Sequence, residues 1–150
     1  TDLENSERLI RAIEIEKARI KMKQHSEKPD LDAVVFGLRW ERSVLRHRIT
    51  LRLQERLDQG MIEEVMRLYH AGLNWNKLES FGLEYRFVSH YLRGKITFDE
   101  MKSKLNTAIH QFAKRQETWF RRMEKRGVEI NWLPNDDYIL LKESVMKYLQ

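Results

Sequence analysis

Arg48, Arg52 and Arg56 recur every fourth residue in the segment RHRITLRLQER. On a helix this spacing raises the three side chains along one face, where like charges repel unless an anion is close. The guanidinium is a planar fork suited to phosphate oxygens. A second group mixes charge with aromatics: Phe112, Lys114, Arg115, Gln116, Trp119, Phe120, Arg121 and Arg122. Helical spacing sends Phe112, Trp119 and Met123 together toward a core, which makes these rings core residues rather than platforms for bases. Lys114, Arg121 and Lys125 then form an outer stripe, with Arg115, Arg122 and Arg126 beside it. A nucleic-acid backbone would meet these two stripes. Two solvated helix faces would show the same pattern, so that reading stays open on charge alone.

Location sharpens the charge argument. The net charge is +5 over 150 residues, yet residues 39–56 carry six arginines against Glu41 and Glu55. Residues 114–126 carry six cations against Glu117 and Glu124, and the remainder of the chain is net acidic. Such concentration is expected of a surface that meets polyphosphate. Other chemistry falls away. No GxxxxGK followed by Ser or Thr and no GxGxxG occurs. His25, His47, His70, His90 and His110 lie far apart without ligand spacing, so no metal site is expected. The absence of cysteine removes disulfides, thiolate metal sites and a cysteine nucleophile, and it suits a cytoplasmic protein. Asp136-Asp137 is better explained as a helix cap than as an acid–base pair. No run of about 20 apolar residues suggests a membrane helix. Because Thr1 replaces an initiator Met, we expect the chain to continue a longer gene product.

The elements that position these residues can be read from period and punctuation. Asn5 or Ser6 caps a helix reaching Lys23, with Leu9, Ile10, Ile13 and Ile20 as its apolar stripe. A polar loop containing Pro29 follows at 24–32. Residues 33–40, AVVFGLRW, read as a strand buried on both faces, as in a parallel sheet. A helix over 43–59 ends at Gly60, another spans 61–70, residues 73–82 read as irregular, and 83–92 is helical again. Thr97-Phe98-Asp99-Glu100 is a capping box that opens a long helix to Gly127. A short strand over 128–133 ends at Pro134, and Asn135 or Asp136 caps a last helix. The expected fold is mainly α-helical with two short strands. A strand at 33–40 wants neighbours on both sides, so the chain alone should self-associate or be poorly ordered there.

Four ordered motifs give these elements a family. Ala113 to Arg121, AKRQETWFR, resembles the A-K/R-RQ-x-TW-F/L-R signature of tRNA dimethylallyltransferases. Glu7 to Glu14 resembles that family's R-x-x-RA-L/I-E helix. Arg48-Ile49 with Arg52 and Gly60 resembles its R-I/V-x-x-R helix, and Glu84-Tyr85-Arg86 with Tyr91-Leu92 and Gly94 resembles its GY-R/K and YLxG segment. The resemblance covers about residues 2–133.

The resemblance implies transfer of a dimethylallyl group from dimethylallyl diphosphate to N6 of the adenosine 3′ to the anticodon. It implies the C-terminal part of an α/β P-loop fold. Residues 1–23 would close an insertion region, and 24–150 would carry part of the core domain with its tRNA-contacting helices. The ATP-binding type of P-loop, the aspartate general base and the ligands of a magnesium cofactor would lie outside this chain, leaving it inactive alone. Arg52 matches the arginine that contacts the diphosphate. Ser6, Glu7, Arg8, Leu9 and Ile10 match one tRNA-contacting segment. Phe81, Tyr85 and Arg86 match a second, and Lys114, Arg115, Gln116, Thr118, Trp119 and Arg121 a third. The implied partners are a tRNA anticodon stem-loop and dimethylallyl diphosphate, with no membrane and a monomeric parent. Two departures stand out: Glu84 where many members have glycine, and Phe81 where a basic residue can occur. A stand-alone helical RNA-binding module and a helical interaction domain are the alternatives.

Overall fold

The computed structural model describes residues 6–22 and 33–149, and the chain divides into two compact units, Thr1–Ala33 and Val34–Gln150. In the first unit, α1 spans Ser6–Met22 and carries Glu7 in its first turn, where the helix dipole favours an acid. Surface ion pairs Arg11–Glu14 (3.1 Å) and Arg19–Glu16 (3.6 Å) follow its pitch. The expected apolar stripe is exposed: Leu9, Ile10, Ile13 and Ile20 all face water, Ile10 with 57% of its surface. The Asn5 cap and the polar loop at 24–32 lie outside the described residues.

The second unit runs β1 (Val35–Arg39), α2 (Arg42–Asp58), α3 (Met61–His70), α4 (Trp75–Glu79), α5 (Leu83–Leu92), α6 (Phe98–Lys125), β2 (Ile130–Pro134) and α7 (Tyr138–Met146). β1 and β2 pair directly in parallel, Val35 opposite Ile130 and Arg39 opposite Pro134. Among the described residues β1 therefore has a neighbour on one side only. Gly37 is required by the close approach of its neighbour: a Cβ there would lie 2.7 Å from the Trp132 ring and 2.9 Å from Ile130. The end of the chain folds back on this pair, with Phe36 edge-on to Tyr148 and the Tyr148 hydroxyl donating to Asn131 Oδ1 (3.1 Å).

One apolar cluster joins the helices: Leu53 from α2, Met61 and Val65 from α3, Leu78 from α4, Val88 from α5, and Met101 and Leu105 from α6. Burying each such side chain is worth about 1.5–3 kcal/mol. The capping box forms as expected, Thr97 N–H donating to Glu100 Oε2 (2.9 Å) and Glu100 N–H to Thr97 Oγ1 (3.2 Å). Gly60 closes α2 and opens α3 at φ 91°, a left-handed backbone that favours glycine.

Two expectations are corrected here. Residues 75–79 are helical rather than irregular, because Asn74 accepts a hydrogen bond from Lys77 N–H (2.9 Å) and Leu78 is fully buried. The cap of α7 is Asp137, which accepts from Leu140 N–H (3.0 Å), rather than Asn135 or Asp136. Asn135 is at φ 60° in the turn, and Asp136 is committed to Arg48.

Candidate phosphate and nucleic-acid site

The arginine stripe of α2 divides into two compensated charges and one open one. Arg48 pairs with Asp136 (3.1 Å) and lies 4.0 Å over the Trp40 ring. Arg56 pairs with Glu64 (3.1 Å) and Glu84 (3.6 Å), with all three side chains about two-thirds buried. Its hydrogen bond to Glu64 raises its already high pKa. Arg52, between them, is exposed and makes no ion pair among the described residues. The mutual repulsion expected of three bare arginines is thus relieved within the chain, and one guanidinium is left for an external anion.

Arg52 opens onto a cleft of about 470 Å³ whose other walls are largely apolar, Ile49, Leu53, Phe81, Tyr85, Ile109 and Phe112 among them, with Glu84 as its one acid. Phe81 meets Tyr85 edge-on at 5.6 Å. The part-buried Tyr85 hydroxyl donates a hydrogen bond to Glu64. That bond, followed by Arg56, holds the Glu64 carboxyl below the usual carboxylate range, and it raises the Tyr85 phenol above its own. Glu84, the acid that departs from the family pattern, is neutralised by Arg56. The structure thus brings Arg52, Phe81 and Tyr85 to one cleft and adds Phe112. Arg86, one residue on, is exposed and does not line it.

Lys114, Arg115, Gln116, Thr118, Trp119 and Arg121 are all exposed on the C-terminal half of α6. Thr118 Oγ1 donates back to the Lys114 carbonyl (3.1 Å), Arg115 lies 5.7 Å from the Phe112 ring, and Arg121 pairs loosely with Glu117 (3.6 Å). The expected core role of the aromatics is overturned. Phe112 is 48% and Trp119 57% exposed, while Phe120 turns inward to meet Trp132 at 5.4 Å. The face of α6 toward the strands carries Ala113, Gln116, Phe120 and Glu124, the last accepting from Trp132 Nε1 (2.8 Å). That face is rotated one residue from the one the apolar spacing selects. Ser6, Glu7, Leu9 and Ile10 lie exposed on α1, in the separate unit; the Arg8 side chain lies outside the described ones.

The sequence reading missed one feature. Arg42, Arg46 and His47 of α2 face His110 and Lys114 of α6 across a cleft of about 660 Å³. The four-residue spacing Asn106, His110, Lys114 is the signal in the sequence that marks this face of α6. Among the described residues no group of three or more His, Asp or Glu side chains could hold a metal ion. Glu84, the acid that lines the cleft with Arg52, is paired with Arg56, so the residues here do not fit a magnesium ion.

Comparison with known proteins decides the family. The family described as IPP transferase matches residues 1–123. The chain belongs to the IPP transferase family. Relatives in this family include tRNA dimethylallyltransferase 1 of Syntrophus aciditrophicus, 51% identical over 97% of this chain and 48% of that protein. Another is tRNA dimethylallyltransferase 2 of Syntrophotalea carbinolica, 57% identical over 89% of this chain and 45% of that protein. Among solved structures, the tRNA isopentenylpyrophosphate transferase of Bacillus halodurans superposes with a TM-score of 0.67 at 30% identity, over 97% of this chain and 45% of its own. The corresponding Staphylococcus epidermidis enzyme gives 0.67 at 26% identity, over 88% and 42%. The chain thus spans a little under half the length of these IPP transferase relatives and carries part of their fold.

Proposed function

We propose that this chain supplies the diphosphate-facing arginine and the RNA-gripping helix of an enzyme that transfers a dimethylallyl group from dimethylallyl diphosphate to N6 of the adenosine 3′ to the anticodon of tRNA. The observation that carries this is Arg52, an open guanidinium between two paired ones, lining a largely apolar cleft. As the allylic C–O bond breaks, negative charge collects on the departing diphosphate. A guanidinium fork at that place stabilises the charge as it develops. The N6 amine attacks the allylic carbon, forming the C–N bond, and its proton passes to a base outside the described residues. The adenine has to leave the stack for this, and backbone contacts hold the loop meanwhile. The exposed run from Lys114 to Arg121 is the part suited to those contacts.

Tyr85 acts through its bond to Glu64, which fixes the wall of the cleft, while Phe81 and Arg86 are free to meet RNA. Magnesium enters only as the companion of the diphosphate, held by groups outside the described residues. The reading places the protein in the cytoplasm, where its substrate is; no helix among the described residues is long and apolar enough to cross a membrane.

The test is to incubate protein with unmodified tRNA and dimethylallyl diphosphate and look for the prenylated base. The 150-residue segment alone should give none, since its sequence contains no phosphate loop. Joined to a phosphate-loop half of the family it should give product. Tight RNA binding with no product from the joined protein would favour the binding module without catalysis.

A further inference from the structure

We infer that the cleft between α2 and α6 lined by Arg42, Arg46 and His110, and not by Arg52, is a second phosphate site, which holds a backbone phosphate of the bound RNA. This rests on the tRNA reading above and extends it from Lys114 to Arg42, Arg46 and His110, which none of the four motifs includes.

The floor of the cleft is a neutral polar set. Thr50 Oγ1 lies 3.3 Å from Asn106 Oδ1 and 3.4 Å from His110 Nε2. Its rim is cationic: Arg42 and Arg46 rise from α2 and Lys114 from α6. None of the three makes an ion pair among the described residues, unlike Arg48 and Arg56 on the same helix. The one acid on the rim, Glu117, is drawn toward Arg121 at 3.6 Å. The positive field is felt inside: burial first, and then the charge of Arg46, hold the His110 imidazole below the usual histidine range. The groups facing His110 are thus Arg46, Arg42 and His47 from α2 and Lys114 and Glu117 from its own helix.

An anion in this cleft would relieve that field and accept hydrogen bonds from Arg46 and His110, while the Thr50 hydroxyl stays donated to Asn106 Oδ1. A polyanion fits better than a lone phosphate. Lys114 belongs both to the rim and to the exposed basic run that continues along α6 through Arg121 and Arg122, so the cations form a track leading out of the cleft. A volume of about 660 Å³ also exceeds what a single phosphate would fill.

The experiment follows the His110 imidazole by proton NMR in the full chain, assigned by its loss in His110→Gln, with and without an anticodon stem-loop RNA. In the free protein Arg46→Gln should raise the titration midpoint of His110, which checks the geometry. Added RNA should raise that midpoint in the wild type by about one pH unit, as an adjacent anion does. Arg46→Gln should lower RNA affinity about threefold or more at moderate salt and reduce the salt slope by about one unit. Arg46 is exposed, so circular dichroism should show an intact fold. If the wild type binds RNA while the His110 midpoint and the Arg46→Gln affinity stay unchanged, this site is refuted and the tRNA reading stands. If the wild type binds no RNA, both fall. A midpoint raised by inorganic phosphate but not by RNA would assign the cleft to a free anion and overturn the RNA assignment.

Discussion

Glu64 carries the wall of the Arg52 cleft, and removing it should be felt in stability before it is felt in chemistry. Its carboxylate accepts from the Tyr85 hydroxyl and from Arg56 at 3.1 Å, and the Arg56 and Glu64 side chains are each only 31% exposed. Glu64→Ala leaves Arg56 with Glu84 alone at 3.6 Å and leaves the Tyr85 hydroxyl without its acceptor. Hydrogen bonds to charged groups contribute about 1.5–3 kcal/mol each, and because the two share one acceptor they do not simply add. We expect a loss of about 2–3 kcal/mol, which for a chain of this size lowers Tm by roughly 4–12 °C. Tyr85→Phe removes one of the two bonds and should cost about 1.5 kcal/mol.

The double variant should fall short of the sum by about 1.5 kcal/mol, since the second change removes a bond already gone. Acid should erase the effect. Tyr85 and then Arg56 depress the Glu64 pKa, so its stabilisation is present above the unfolded carboxylate value and is lost as pH falls through the folded one. The penalty of Glu64→Ala should therefore be full at pH 7 and shrink below about pH 4. The raised Tyr85 phenol acts at the other end: its contribution is present below about pH 10 and is lost above the folded value. Thermal melts of the four proteins at pH 7 and in acid measure all of this. A Glu64→Ala melt within about 1 °C of wild type, or strictly additive losses, would refute the coupling.

Three other outcomes follow from single contacts. Gly37→Ala should destabilise by about 1–3 kcal/mol in chemical denaturation, because its methyl group would sit 2.7 Å from Trp132; an unchanged midpoint would mean the strands do not approach so closely. Thr97→Ala should cost about 1 kcal/mol by removing one half of the capping box, and Thr97→Ser should restore most of it. Replacing Lys114 or Arg115 by Gln should weaken tRNA binding across sequences, with the slope of log K against log salt falling by about one unit per contact in filter-binding titrations.

What the sequence disclosed is what local rules encode. The capping box at Thr97, the glycine stop at Gly60 and the four-residue rhythm of α2 are decided by neighbours a few positions apart, and all three form. The mainly helical class with two strands was legible for the same reason. The five-residue α4 was not, because a single helical turn has no period to read and rests on Asn74 and the buried Leu78. The phase of α6 was misread since Phe112, Trp119 and Phe120 are alike in hydrophobicity. Only the position of Trp132 on β2 selects Phe120. Likewise Arg48, Arg52 and Arg56 are equivalent in a sequence. Their difference comes from Asp136, 88 positions away, and from Glu64 and Glu84 on α3 and α5.

The central claim is that Arg52 serves the diphosphate while the Lys114–Arg121 run serves RNA. Its most direct test is Arg52→Ala in the full enzyme, with the dissociation constants for dimethylallyl diphosphate and for tRNA and the single-turnover rate measured at two salt concentrations. The expected result is a rate lower by about 10²–10³ and weaker donor binding, with tRNA affinity and its salt slope unchanged. Loss of tRNA affinity with an intact rate and donor constant would contradict it and place Arg52 on the RNA.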